Sequence, residues 1–308
     1  MIYRVDFTVA SSSSQFISPV IFGVIVDKIF ELVDEKKARE IVDEIISSDI
    51  LISDAHPIKR TDKGIERFFT KIGLSSFDKF ENGDLSLKDR RKLSREMKKK
   101  AGQQLLIAID HSGNMKMTNK NIDSAVEIYR IGIQVNRHTD ASQEGILFYH
   151  QEFRFPENQP FSIYIKCNNK KLIEIIEKCF SIIELTGFGP DVSIGKGKVK
   201  FFKHEGKILI RDEQVEKYFP QSIDGKEEFV NISSTIFSPA ITEICKFKTY
   251  LTFRYDSKGY FTFKPPYFCA AKGAVVVPIS SKLSLVKEYQ GKLLYTCVFP
   301  LKLSAGGD

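Results

Sequence analysis

The chain has 308 residues, with 46 Lys and Arg against 39 Asp and Glu, and a formal net charge of +7; this basic excess is modest and does not by itself demonstrate nucleic-acid binding. The length favours two domains, and five cysteines without a CxxC pair (Cys167, Cys179, Cys245, Cys269, Cys297) suggest neither a disulfide framework nor a metal site. The start, MIYRVDFTVASSSSQF, is unlike a signal peptide and no stretch approaches eighteen apolar residues, so a soluble cytoplasmic protein with no membrane partner is expected.

Residues 2–9, IYRVDFTV, alternate as a strand does, and the polar SSSSQFIS follows. Ser18 as N-cap with Pro19 at the first helical position predicts a helix over 19–33. A second amphipathic helix is predicted over 35–47, and a short strand at 50–53. From about 58 to 103 the composition turns strongly charged, ending in SLKDRRKLSREMKKKAGQQ, and reads as a helical insertion whose run 88–100 is a cationic helix. Strands are expected at 105–109, 129–135, 145–155 and 161–167, then a helix over 170–185, a glycine-rich loop and the strand VKFFKH.

This βαββαβ order is that of a ferredoxin-like (RRM-like) domain. The expected fold class is therefore α+β, with tandem ferredoxin-like domains and a helical insertion in the first. The first spans 1–203. The second, 204–308, is strand-rich with a short helix near 238–246.

The loop TGFGPDVSIGKGKVKF, 186–201, carries the main chemical signal. It is not a Walker A motif, because five residues separate Gly189 from Gly195, Lys196 is followed by Gly197, and the loop leaves a helix rather than entering one. A helix C-cap is an alternative account of Gly187 and of Gly189, but with the rest of the loop both are expected to contact RNA. Gly195, Lys196 and Gly197 instead suit a backbone-lined phosphodiester site, with Ser193 and Lys198 beside it.

The element order and this loop together resemble the RAMP superfamily of CRISPR effector proteins. The resemblance is to the group 5 RAMP of type III-A (Csm) complexes, carried also by SPVIFGVIVD at 18–27, ISDAHP at 52–57 and IQVNRHTDASQEGILFYHQEFRF at 133–155. It covers residues 1 to about 203 well and the remainder loosely. It implies a non-catalytic scaffold that holds the 5′ tag of crRNA and touches a neighbouring backbone RAMP and the large polymerase-like subunit. It also implies that Ser18, Pro19, Phe22 and Gly23 contact the crRNA backbone. In NRHTDASQEG, Arg137 is the expected RNA ligand, supported by Asn136, His138 and Thr139. Asp54, His56, Asp110, His111, His138 and His150 leave open a metal-independent crRNA-processing endoribonuclease. No cofactor or metal is expected.

Overall fold

The alternating N-terminal segment is strand β1 (Ile2–Val9), and the segment after the serine run is helix α1 (Ser18–Leu32), followed by α2 (Glu35–Ser47). The computed structural model describes residues 1–71, 105–118, 122, 125–135, 142–189, 192–220, 223, 227–236, 241–243, 247–250, 253–255, 261–263, 267–278, 282–289 and 292–302. Strands β2 (Leu51–Ile52), β3 (His56–Thr61), β4 (Gly64–Lys71), β5 (Leu105–Ile109), β6 (Met115–Thr118), β7 (Val126–Val135), β8 (Ser142–Arg154) and β9 (Phe161–Lys166) precede α3 (Lys170–Thr186). A 3-10 turn (Val192–Ile194), β10 (Val199–Phe201), β11 (Leu209–Arg211) and a single helical turn α4 (Glu213–Glu216) follow.

The main sheet runs β10-β1-β9-β3-β4-β5-β6, with β11 also on β1 and β2 on β9, all antiparallel. The first four positions place the fourth, first, third and second strands of a βαββαβ unit side by side, which is the ferredoxin-like order. Helical periodicity puts Ile21, Phe22, Ile25 and Ile29 of α1, Ile41, Val42 and Ile45 of α2, and Leu172, Ile176, Phe180 and Ile183 of α3 into the core. Asp34 accepts from the Lys37 N–H (3.0 Å), and Asn169 accepts from Lys171 and Leu172, so α2 and α3 are capped by side chains. Helix α1 is not: its N-cap is Ile17, one residue before the expected Ser18, and no side chain of its own caps it.

Two sequence expectations need correction. The insertion does not open as a helix. Residues 56–71 form the β3–β4 hairpin, turning at Asp62-Lys63, with Thr61 paired to Gly64. Its charges suggested a solvated helix face, yet Arg67 is buried, donating to Asp212 at 2.6 Å, while Phe68 and Phe69 enter two different apolar clusters. The expected cationic helix over 88–100 lies outside the described residues.

The C-terminal part contains β12 (Phe229–Asn231), β13 (Thr235–Ile236), β14 (Ile241–Glu243), β15 (Phe247–Tyr250), β16 (Phe253–Tyr255), β17 (Phe261–Phe263), β18 (Tyr267–Ala270), β19 (Val275–Val276), β20 (Ser284–Tyr289), β21 (Lys292–Cys297) and β22 (Pro300–Lys302). Here lies the second correction: the short helix expected near 238–246 is strand at Ile241–Glu243, which pairs with β19. The sheets β14-β19-β12-β22 and β13-β18-β15 and the hairpins β16–β17 and β20–β21 are antiparallel. One apolar core joins both parts of the chain, because Ile232, Leu283, Tyr295 and Phe299 belong to the same buried cluster as Ile21, Phe22 and Ile25.

Candidate nucleic-acid interface

The glycine loop is built against the serine run. Gly197 N–H donates to Ser12 O (2.9 Å), Lys198 N–H to Ser11 Oγ (2.8 Å), Phe188 N–H to Gly197 O (2.8 Å), and Ser13 Oγ donates to Phe188 O (3.1 Å). Phe188, between two glycines, is buried and stacks on Phe16 at 4.0 Å, which meets Phe155 edge-on. This aromatic pin was not foreseen; the signal was the apolar ring in GFG, which a solvent-facing loop has no reason to carry.

The glycines divide into two kinds. A Cβ on Gly197 would stand 2.0 Å from Phe188 O, and one on Gly189 would stand 2.4 Å from Ser14 Oγ, both at positive φ. These residues are glycine because the loop closes on itself. Gly195, at φ 83°, has nothing within 4 Å of its Cβ position. The outward edge is therefore Ser193, Ile194, Gly195 and Lys198, all exposed. The main-chain N–H groups of Gly187, Phe188, Gly195, Gly197 and Lys198 are given to the protein.

Lys196 is half-buried and ion-paired to Glu152 of β8, whose other oxygen lies 3.2 Å from Arg130 Nε of β7. Burial works against the Glu152 carboxylate, yet the hydrogen bonds from Lys196 and Ser12 and the charges of Lys196 and Arg130 hold its carboxyl below the ordinary range. Lys196 thus fixes the loop to the β7–β8 ribbon. Asn136, Arg137, His138 and Thr139, expected at the tip of that ribbon, lie outside the described residues.

The start of α1 is turned inward. Ser18 N–H donates to Asp54 Oδ1 (2.8 Å), which also takes the Ser234 N–H (2.8 Å), while Ser234 Oγ donates to Oδ2 (2.7 Å). Burial pushes the Asp54 carboxyl up, against the opposing pull of Lys272 and these hydrogen bonds. The positive end of the helix thus faces a buried acid of the protein. Phe22 is buried and stacked on Tyr295 of β21 at 4.2 Å and 9°. Ser18 and Phe22 therefore join the two parts of the chain, and both are buried; Pro19 and Gly23 are half-buried beside them.

Of the titratable residues singled out in the sequence, His138 lies outside the described residues, and Asp54 N–H and His56 Nε2 both meet the Ile232 carbonyl. His56 is buried with Nε2 2.8 Å from Ile232 O, and burial lowers its pKa well below the usual value. Asp110 is half-buried at a turn, accepting from the Asn114 and Ser112 N–H groups, which lower its pKa. Among the described residues, no three His, Cys, Asp or Glu side chains are grouped to hold a metal ion.

A groove missed by sequence reasoning lies on the sheet face away from the helices. Its volume is about 770 Å³; Ile58, Phe68 and Pro160 line it with Thr8, Gln159, Lys59, Arg60, Lys200 and Phe202. The Arg60 guanidinium lies 4.2 Å above the Phe202 ring and 3.1 Å from His204 Nε2.

No family model matches the chain, and no curated protein does. Solved structures match in fold. A chain of a Csm1–Csm4 cassette in complex with AMPPNP aligns over 100% of this chain and 99% of its own, at 13% identity and a TM-score of 0.53. A chain of a Csm1–Csm4 cassette in complex with cA4 aligns over 99% and 100%, at 14% identity and 0.53. A chain of the Csm3–Csm4 subcomplex in the type III-A CRISPR-Cas interference complex aligns over 97% of each, at 15% identity and 0.53. Among the described residues, no helix is long and apolar enough to cross a membrane. The chain has the mixed α/β fold of these structures, with antiparallel sheets and few helices, over its whole length.

Proposed function

We propose that the chain is a group 5 RAMP subunit of a type III-A (Csm) CRISPR interference complex: a non-catalytic scaffold that holds the 5′ repeat-derived tag of crRNA and bridges the backbone RAMP filament to the large subunit. The observation that carries this reading is the glycine loop with one open edge, Ser193 to Gly195 with Lys198, on a chain whose fold likeness to Csm structures spans its whole length. A loop held to the protein through Gly197 and Lys198 presents its outward edge and a positive charge to a sugar-phosphate chain, and so recognises it without reading bases. The division into modules at 1–203 and 204–308 belongs to the same proposal.

Partner contact is supported by the β7–β8 ribbon. A two-stranded ribbon is weakly stable alone, and Tyr129 and Ile131 on it are each 64% exposed. Such groups suit a subunit surface. Neighbouring Csm structures in which a Csm4 chain sits with Csm1 or Csm3 support the same kinds of partner.

The test is co-expression of this chain with a crRNA array and the candidate backbone and large subunits. Tagged chain should retain crRNA with an intact 5′ tag and pull down both partners, and Lys198→Glu should reduce the retained RNA. Recovery of the folded chain without RNA or partners contradicts the assignment. Cleavage of labelled repeat RNA by the purified chain alone would replace it with the nuclease reading.

A further inference from the structure

The groove on the exposed sheet face has the composition of a nucleotide site that the glycine loop does not explain. Its floor is apolar, with Ile58 and Phe68 buried, and its rim carries Lys59, Arg60 and Lys200 with no acidic residue among the described lining groups. Among the described residues, neither Lys59 nor Lys200 has an ion-pair partner, so both charges are available to a ligand. The volume of about 770 Å³ lies within the roughly 300–1,000 Å³ typical of small-molecule sites. One wall is an aromatic ring with a guanidinium over it, and guanidinium and aromatic faces are the two surfaces on which unpaired bases stack.

The groove also continues from the loop. Lys198, Lys200 and Phe202 follow one another at every second residue of an extended segment, because β10 pairs Lys200 with Thr8 and Phe202 N–H still donates to Asp6 O at 2.9 Å. Side chains two apart in a strand share a face and lie about 6.6 Å from one another. A chain of nucleotides leaving the outward edge of the loop at Lys198 thus meets a second cation and then an aromatic ring.

We infer that this groove receives one nucleotide of single-stranded RNA, its base against Phe202 and Arg60 and its phosphates on Lys200 and Lys59. The inference rests on the reading of the chain as an RNA-binding subunit and adds a base-accepting site to it. The Arg60 guanidinium covers the Phe202 ring face and lies against His204, so a base entering the groove displaces it or stacks against it.

The test measures binding of a fluorescent single-stranded RNA carrying the repeat-derived tag to the full chain, at several salt concentrations, with thermal melts as the folding control. Phe202→Leu should weaken binding about ten-fold, the size of one lost base stack. Lys200→Gln should leave the melt unchanged and flatten the log K against log salt slope by about 0.7. If the wild-type chain binds RNA and both variants bind as it does, the groove inference fails while the functional reading stands. If the wild-type chain binds no RNA, both fail. Saturable binding of AMP that depends on Phe202 and is not displaced by RNA also overturns the inference, since the groove would then serve a free nucleotide.

Discussion

The first turn of α1 and the glycine loop both look like phosphate sites in the sequence, yet the protein uses them differently. Helix α1 begins with Ser-Pro and the loop has four glycines, and each offers main-chain N–H groups. In α1 those groups meet Asp54, an acid 36 residues along the chain that also holds Ser234 from the C-terminal part. In the loop those of Gly197 and Lys198 meet the serine run, and one edge still faces outward. What separates a binding element from a structural one is which partner takes the donors, and that partner is remote in sequence.

The comparison can be broken most directly at Asp54. Asp54→Ala leaves the Ser18 and Ser234 donors buried without an acceptor, and urea denaturation should show a loss of about 3 kcal/mol; a loss under 1 kcal/mol would mean that the carboxylate does not hold the two parts together. Next comes the contrast within the loop. Gly197→Ala forces a Cβ onto Phe188 O and should cost about 2–3 kcal/mol, whereas Gly195→Ala carries only its left-handed backbone and should cost about 1 kcal/mol. Equal effects at both sites would erase the division between inward and outward glycines.

A pH series sharpens the account of the interior. His56 has its pKa lowered by burial, so the folded state holds the ring neutral. The stability this gives is complete above the unfolded value of about 6.5 and is lost as pH falls below it, by at most about 1.4 kcal/mol per pH unit. His56→Gln should flatten the wild-type decline between pH 6.5 and 5, and an unchanged decline would assign it to other groups. The smallest stability effect belongs to the outward edge. Ser193→Asp with Lys198→Glu should change stability by no more than about 0.5 kcal/mol while lowering crRNA retention in the co-expressed complex.

Much of the N-terminal fold was legible because periodicity was clean: β1 alternates, and α1, α2 and α3 show an apolar stripe, although the cap expected at Ser18 falls at Ile17. The β3–β4 hairpin was not, because Arg67 belongs inside only by virtue of Asp212, 145 residues away, and no local pattern announces such a pair. The strand at Ile241–Glu243 was misread for a related reason, since its identity depends on pairing with β19. At the site, glycine spacing marked the loop, but its internal partners were not legible, because Lys196 is tied to Glu152 and Gly197 closes on Phe188 and Ser12. The Arg60–Phe202 groove joins residues from two strands that are distant in the chain, so it exists only once the sheet is assembled.

The central claim, that the outward edge of the glycine loop lies against the crRNA tag, is tested most directly by placing a photoreactive amino acid at Ile194, which is 68% exposed. Irradiation of the co-expressed complex should crosslink position 194 to the 5′ repeat-derived nucleotides of the crRNA. Crosslinks to protein alone, or to the spacer part of the RNA, would contradict it.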